Sequence, residues 1–217
     1  MSENIVLCGV GGQGTVLASK LIASAAMGRG LPVKTAETIG MAQRGGSVFS
    51  HVRIGADAAS PFVARGTADL VVAFEPAEAL RQLPYLRADG AMVVSSRPVV
   101  PVTATIGGPA YDLEAIMSYL AAHVRRLTVV DADAAVADLG TARVMNVVLL
   151  GAAVSAGATG LTEGDLRAAV GKRVPERFRE LNERALGWAA AHGAGEATAG
   201  PARGAGPARG DWNKTRG

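Results

Sequence analysis

Two periodicities of apolar positions take turns along most of the chain. Ile5–Cys8 is a short, wholly apolar run, the pattern of a strand buried on both faces. Thr15–Met27 then sets Val16, Leu17, Ile22, Ala23 and Ala26 at helical spacing and ends at Gly28 and Gly30. Pro32–Ala36 predicts a second strand, and GMAQRGGS a loop. VFSHVRI alternates apolar with polar residues, as a half-exposed strand does. ADLVVAF predicts another buried strand, followed by a helix from Pro76, where proline suits a first turn. GAMVVSS predicts a strand, DLEAIMSYLAAH an amphipathic helix, and RLTVVDA the next strand. Helices follow over Asp133–Asp138, Arg143–Ala156, Thr162–Val170 and Glu176–Ala190.

Strands alternating with helices predict an α/β fold, a three-layer Rossmann-like sandwich around a mostly parallel sheet. VFSHVRI follows a loop rather than a helix, which allows a mixed sheet there. The pattern assigns residues 1–192 to one domain. From Gly193 the composition changes, GPARGAGPARG repeats a five-residue unit with nothing to pack, and residues 193–217 are expected to be a disordered tail.

With 217 residues, 49% of them hydrophobic, one domain can bury a substantial core. Aromatics are only 4%, so that core must be aliphatic. A net charge of +3 is too small to argue for nucleic acid, and the tail from Ala189, with four basic and two acidic residues, supplies most of it. Cys8 is the single cysteine, which rules out an intrachain disulfide and points to a reducing cytoplasm. One thiol also cannot ligate an iron–sulfur cluster or a Cys-rich zinc site, so no metal is expected on this chain. Strand-like sequence from Asn4 without a basic leader predicts no signal peptide, and VMNVVLLGAAVSAGA reads as a buried helix rather than a membrane span.

Gly9, Gly11 and Gly14 fit G-x-G-x-x-G, with Gly12 and Gln13 inside, between a strand and a helix. Gly9 permits the tight turn, Gly11 and Gly12 let a guest approach the backbone, and the helix from Gly14 points free N–H groups and a partial positive charge at it. Glu37 stands near the position where a dinucleotide site places its ribose-binding acid. The motif alone leaves two readings open: a nucleotide site, and a turn that merely packs the first helix on the sheet. G-x-G-G-x-G also opens adenylating domains, but those usually carry paired cysteines for zinc, which this chain lacks.

ETIGMAQRGGSVFSHVRIG is rarer. Gly45 and Gly46 allow close contact, Arg44 is a forked donor for a carboxylate or phosphate, Gln43 adds a donor and an acceptor, and Met41 precedes them. His51 and Arg53 alternate onto one face of the next strand as possible supports. In a doubly wound sheet, loops after strands one and two both open at the carboxyl edge, so GVGGQG and MAQRGG are expected to face one crevice. A structural turn with a solvated arginine is the plainer alternative.

In this order, GVGGQGTVLASKLIASAA, GMAQRGGSVFSHVRIG, SPFVARGTADLVVAFEPAEALR and RVMNVVLLGAAV resemble the small, gamma-type subunit of 2-oxoacid:ferredoxin oxidoreductases. The GMAQRGGSV form is most similar to the indolepyruvate-oxidising members, and the resemblance runs from Asn4 to about Trp188. It implies decarboxylation of an aryl 2-oxo acid on thiamine diphosphate, transfer of electrons through [4Fe–4S] clusters to ferredoxin, and release of an arylacetyl-coenzyme A. The family's thiamine anchor, a Gly-Asp-Gly turn followed by a distant Asn, is not matched by EGDL at Glu163–Leu166, with Asn182 too near. Thiamine diphosphate, Mg2+ and the clusters are therefore expected on a large partner subunit, with this chain inactive alone and the assembly a dimer of heterodimers. The two Gly-rich loops then either form one face of a cleft for substrate or coenzyme A phosphates, or dock the partner's backbone. A stand-alone nicotinamide- or flavin-dependent oxidoreductase and a non-catalytic nucleotide-binding module remain the alternatives.

The other residues are expected to be structural. Cys8 is read as buried and inert, and His123 and His192 as helix-terminal cations. Asp131 and Asp133 are read as loop and cap residues, Asn146 as a satisfied packing residue, and Phe178, Leu181, Ala185 and Trp188 as core spacing.

Overall fold

The computed structural model describes residues 2–37, 46–56, 60–100, 110–193 and 195–197. Its strands are β1 (Glu3–Val10), β2 (Val33–Glu37), β3 (Ser47–Ile54), β4 (Ala68–Ala73), β5 (Leu86–Ser95), β6 (Arg126–Val130) and β7 (Gly195–Ala197). Its helices are α1 (Thr15–Gly28), α2 (Pro76–Gln82), α3 (Leu113–His123), α4 (Ala132–Leu139), α5 (Met145–Ser155), α6 (Glu163–Arg173) and α7 (Glu176–His192), with single 3-10 turns at Leu83–Tyr85 and Ala142–Val144.

The sheet order is β2-β3-β1-β4-β5-β6-β7. β1, β4, β5 and β6 are parallel neighbours, in registers such as Leu7↔Val72, Val72↔Val93 and Val94↔Val129. β3 runs against both β1 and β2, so the mixing expected at VFSHVRI is real. Alternate residues of the wholly apolar strands feed two cores. On one side Ile5, Leu7, Leu70, Val72 and Val93 meet α1, α5, α6 and α7. On the other, Val6, Cys8, Val71, Met92 and Val94 meet α2 and α3 through Ala79, Leu120 and Val124. Burial on both faces is why these strands carry no polar alternation.

Local chemistry sets the helix ends. Asp112, Asp131 and Thr162 accept from first-turn N–H groups, and Asp165 completes a capping box with Thr162. Asp131 is thus the cap of α4 and Asp133 lies in its first turn, as read from sequence. His123 and His192 close α3 and α7, each with Nδ1 at 2.8 and 2.9 Å from the carbonyl four residues back. α5 and α7 cross with almost no gap at Gly151, where an added Cβ would lie 1.9 Å from the Leu186 carbonyl oxygen.

One boundary needs correction. The disordered tail was expected from Gly193, yet Gly195–Ala197 pair antiparallel with β6 as a short edge strand. The remaining tail residues, apart from Gly193, lie outside the described residues.

Candidate functional site

The turn after β1 is built by glycines. Gly12 and Gly14 hold φ at +104° and +84°, which side-chain-bearing residues rarely adopt. Gly14 is the N-cap of α1, no side chain caps that first turn, and no acidic residue lies in it. The orphan N–H groups and the positive end of the helix dipole are therefore left for another group. Gly11 N–H donates to the Gly46 carbonyl at 2.9 Å, and Val10 pairs with Ser47. The exit of the second glycine loop thus meets the first, because β3 returns antiparallel beside β1. Met41, Gln43, Arg44 and Gly45 lie outside the described residues.

Gln13 has a bracing task in addition to the one expected. Its Oε1 accepts from Val10 N–H at 2.7 Å and its Nε2 donates to the Phe74 carbonyl at 3.0 Å. Both ends of the amide brace the loop against the end of β4, and Gln13 also lines the crevice beside it. A Cβ on Gly9 would stand 2.6 Å from Gln13 Oε1 and 3.1 Å from Phe74, so this brace is what demands glycine there.

Beside the loop lies a crevice of about 400 Å³, lined among others by Gly12, Ser95, Arg97, Val99, Arg143 and Asn146. It opens past the carboxyl ends of β1, β4, β5 and β6, where chain connections leave β1 to opposite sides, the usual place for a ligand in such sheets. Arg97 and Arg143 are exposed, and neither is paired with a carboxylate among the described residues. Asn146, in the first turn of α5, donates from Nδ2 to the Gly14 carbonyl at 3.3 Å. It is 2% exposed, and its Oδ1 has no hydrogen-bond partner; the same holds for Oγ1 of the buried Thr15.

Sequence reading missed this side of the site. Asn146 is indeed buried, but only half of its amide is satisfied. Its isolation in an otherwise apolar helix was the available signal. Nothing in the sequence separates Arg97 or Arg143 from a solvated arginine.

The supporting residues stand elsewhere. His51 faces Val6 in mid-strand, is 3% exposed, and accepts from Val63 N–H at 2.9 Å through Nδ1. Burial pushes its basicity below the ordinary histidine range. Phe49, Phe62 and Tyr85 ring it at 5.3–5.9 Å, so it moves no protons at the crevice. Arg53 shares that face, as the alternation predicts, but sits at the opposite end of β1, where it holds Asn4 Oδ1 at 2.8 Å and the Ser60 carbonyl at 3.0 Å. Glu37 accepts from Ser19 of α1 at 3.2 Å, and β3 separates its strand from β1. A ribose-binding acid belongs on the strand next to the glycine loop, so the dinucleotide reading loses its second element.

Two buried acids, Glu75 and Glu78, flank the same edge. Glu75 caps α2 and accepts from Tyr111 O–H, Glu78 from Ser47 O–H at 2.6 Å and from Arg81. Burial first, then the hydrogen bond to Glu75, hold the Tyr111 phenol well above its usual range. Cys8 is fully buried, and burial, with Glu78 and Glu75 nearby, drives its thiol well up, which leaves it inert. Among the described residues no group of three or more His, Cys, Asp or Glu is placed to hold a metal.

Residues 4–192 match the family model described as pyruvate ferredoxin/flavodoxin oxidoreductase. The chain is 44% identical over 152 residues to indolepyruvate oxidoreductase subunit IorB of Archaeoglobus fulgidus, covering 70% of this chain and 75% of that one. It is 35% identical over 185 residues to the IorB subunit of Thermococcus kodakarensis, covering 84% and 92%. The crystal structure of a keto/oxoacid ferredoxin oxidoreductase gamma subunit from Geobacter sulfurreducens superposes with a TM-score of 0.62 at 27% identity, over 86% of this chain and 93% of that one. A 2-oxoglutarate:ferredoxin oxidoreductase from Magnetococcus marinus shares the fold at a TM-score of 0.64 and 19% identity, over 94% of this chain and 33% of that one. On this evidence the chain belongs to the pyruvate ferredoxin/flavodoxin oxidoreductase family and is a small, gamma-type subunit of a 2-oxoacid:ferredoxin oxidoreductase.

Proposed function

We propose that this subunit serves a cytoplasmic indolepyruvate (aryl 2-oxo acid):ferredoxin oxidoreductase, and that it works only with a large subunit holding thiamine diphosphate, Mg2+ and [4Fe–4S] clusters. The identity to IorB subunits supports the substrate class. A single buried cysteine supports placing the clusters elsewhere: this chain's residues do not fit such a group, and no step here runs through one. The partner's cofactors supply the carbon–carbon cleavage and electron transfer, and this chain contributes binding and orientation.

The observation that carries the reading is the joined rim. The Gly11–Gly46 hydrogen bond holds the exit of the second glycine loop against the first loop, and beside it lie an uncapped helix start and two arginines without acidic partners among the described residues. Together these give a surface of backbone N–H groups and guanidiniums for a large subunit to close over. It suits the phosphates of coenzyme A or the carboxylate of the oxo acid.

The test is reconstitution. Co-expression with the cluster-bearing large subunit should give coenzyme A-dependent oxidation of indolepyruvate with reduction of ferredoxin or a viologen dye. The isolated 22.0 kDa chain should give none. Turnover by the chain alone, or a reconstituted complex indifferent to aryl 2-oxo acids, overturns the proposal.

A further inference from the structure

Arg97 and Arg143 line the crevice together with Asn146. Asn146 is held in one orientation. The group beside it, the Gly14 carbonyl, only accepts, so the amide must present Nδ2 there, and a Cβ on Gly14 would meet that nitrogen at 2.6 Å. Oδ1 is thereby left as a buried acceptor without a donor, on a residue that lines the crevice. Such an atom is costly to leave unmatched and selects for a guest that supplies the missing hydrogen.

We propose that Asn146 is a specificity-determining residue of a ligand subsite in this crevice. Arg97 and Arg143 take an anionic group, and Asn146 Oδ1 accepts from an N–H or O–H donor on the same molecule. This rests on the reading that the crevice serves the 2-oxoacid reaction. Two reactants of that reaction carry both features. Coenzyme A has phosphates together with amide, hydroxyl and amino donors. Indolepyruvate has a carboxylate together with its indole N–H, which phenylpyruvate lacks. The Asn146–Gly14 hydrogen bond also ties the ligand-reading amide to the turn that opens α1. One side chain thereby sets loop position and ligand choice together.

The test measures KM and kcat for coenzyme A, indolepyruvate and phenylpyruvate in the reconstituted complex carrying Arg97→Gln, Arg143→Gln or Asn146→Ala. All three variants should raise the KM of one and the same reactant, each by about tenfold, with kcat within about twofold. If that reactant is coenzyme A, neither acid is affected. If it is the acid, the arginine variants weaken both acids, whereas Asn146→Ala weakens indolepyruvate and spares phenylpyruvate. Arginine and asparagine variants that move different reactants, that lower kcat alone, or that change nothing overturn the proposal. The arginines are exposed, so their variants fold; if Asn146→Ala fails to assemble, Asn146→Ser keeps a hydroxyl for Gly14 and takes its place. Should the wild-type complex oxidise no aryl 2-oxo acid, the functional reading fails by itself. Equilibrium binding of coenzyme A and of indolepyruvate to the complex then reads the subsite separately. Loss of binding in the arginine and Asn146 variants supports the subsite, and unchanged binding overturns it.

Discussion

Gly151→Ala should force open the close crossing of α5 and α7. The new Cβ would lie 1.9 Å from the Leu186 carbonyl oxygen and 2.8 Å from its carbon, and both are backbone atoms that no rotamer change can move away. Ordinary contact begins near 3.4 Å, so α5 and α7 must part by roughly 1.5 Å, and overpacking of this kind costs about 3 kcal/mol or more. Alanine's helix propensity returns about 1 kcal/mol, leaving a net loss of about 2 kcal/mol and a Tm lower by roughly 4–8 °C. Gly187, one residue past Leu186 on α7, is the internal control, because nothing lies within 4 Å of its Cβ. Gly187→Ala should raise Tm by roughly 2–4 °C through propensity alone. Thermal and urea unfolding of both variants against wild type reads the two signs together. A Gly151→Ala protein melting at or above wild type refutes the crossing and the packing argument built on it.

Glu3 is buried, and desolvation raises its carboxyl above the ordinary value of 4.5 despite hydrogen bonds from Thr159 and Gly160. The folded state therefore holds this proton more tightly than the unfolded chain, and its contribution to stability is lost as pH rises from 4.5 through the folded value. Glu3→Gln should flatten that part of the Tm–pH curve between weak acid and neutrality; an unchanged slope would count against it. Asp138 Oδ2 accepts from Trp188 Nε1 at 2.9 Å and lies 3.0 Å from His192 Nε2. Asp138→Ala leaves the indole N–H unmatched and should cost about 1–2 kcal/mol in urea unfolding. Cys8 should resist a thiol reagent in the folded protein and react fully in denaturant. Rapid labelling of the native chain would show that the first strand is not sealed.

The parts of the fold made by burial were legible beforehand. Ile5–Cys8, ADLVVAF and GAMVVSS announce central strands because both their faces need apolar residues. The direction of β3 was not written locally, since SVFSHVRI reads the same beside either neighbour and only the pairing with β1 decides it. That one choice moved Glu37 a strand away from the glycine turn and brought Gly46 onto Gly11. At the site, the glycine turn could be read because positive φ demands glycine. Arg97, Arg143 and the unmatched half of Asn146 could not, because their meaning comes from what does not face them. The bracing by Gln13 was hidden for the converse reason: its partners, Val10 N–H and the Phe74 carbonyl, are main-chain atoms invisible to side-chain chemistry.

The central place of β1 has a consequence for biosynthesis. β1 must wait for β3 and β4 before it has partners on either side, and Glu3 at its start is held by a hydroxyl 156 positions later. The strands that flank β1 exist by Ala73, but most of the helical cover on one face of the sheet, α5, α6 and α7, follows only from Met145. A nascent fragment ending before α5 would display an uncovered greasy face, which makes chaperone capture, rather than stepwise domain growth, the expected fate of incomplete chains.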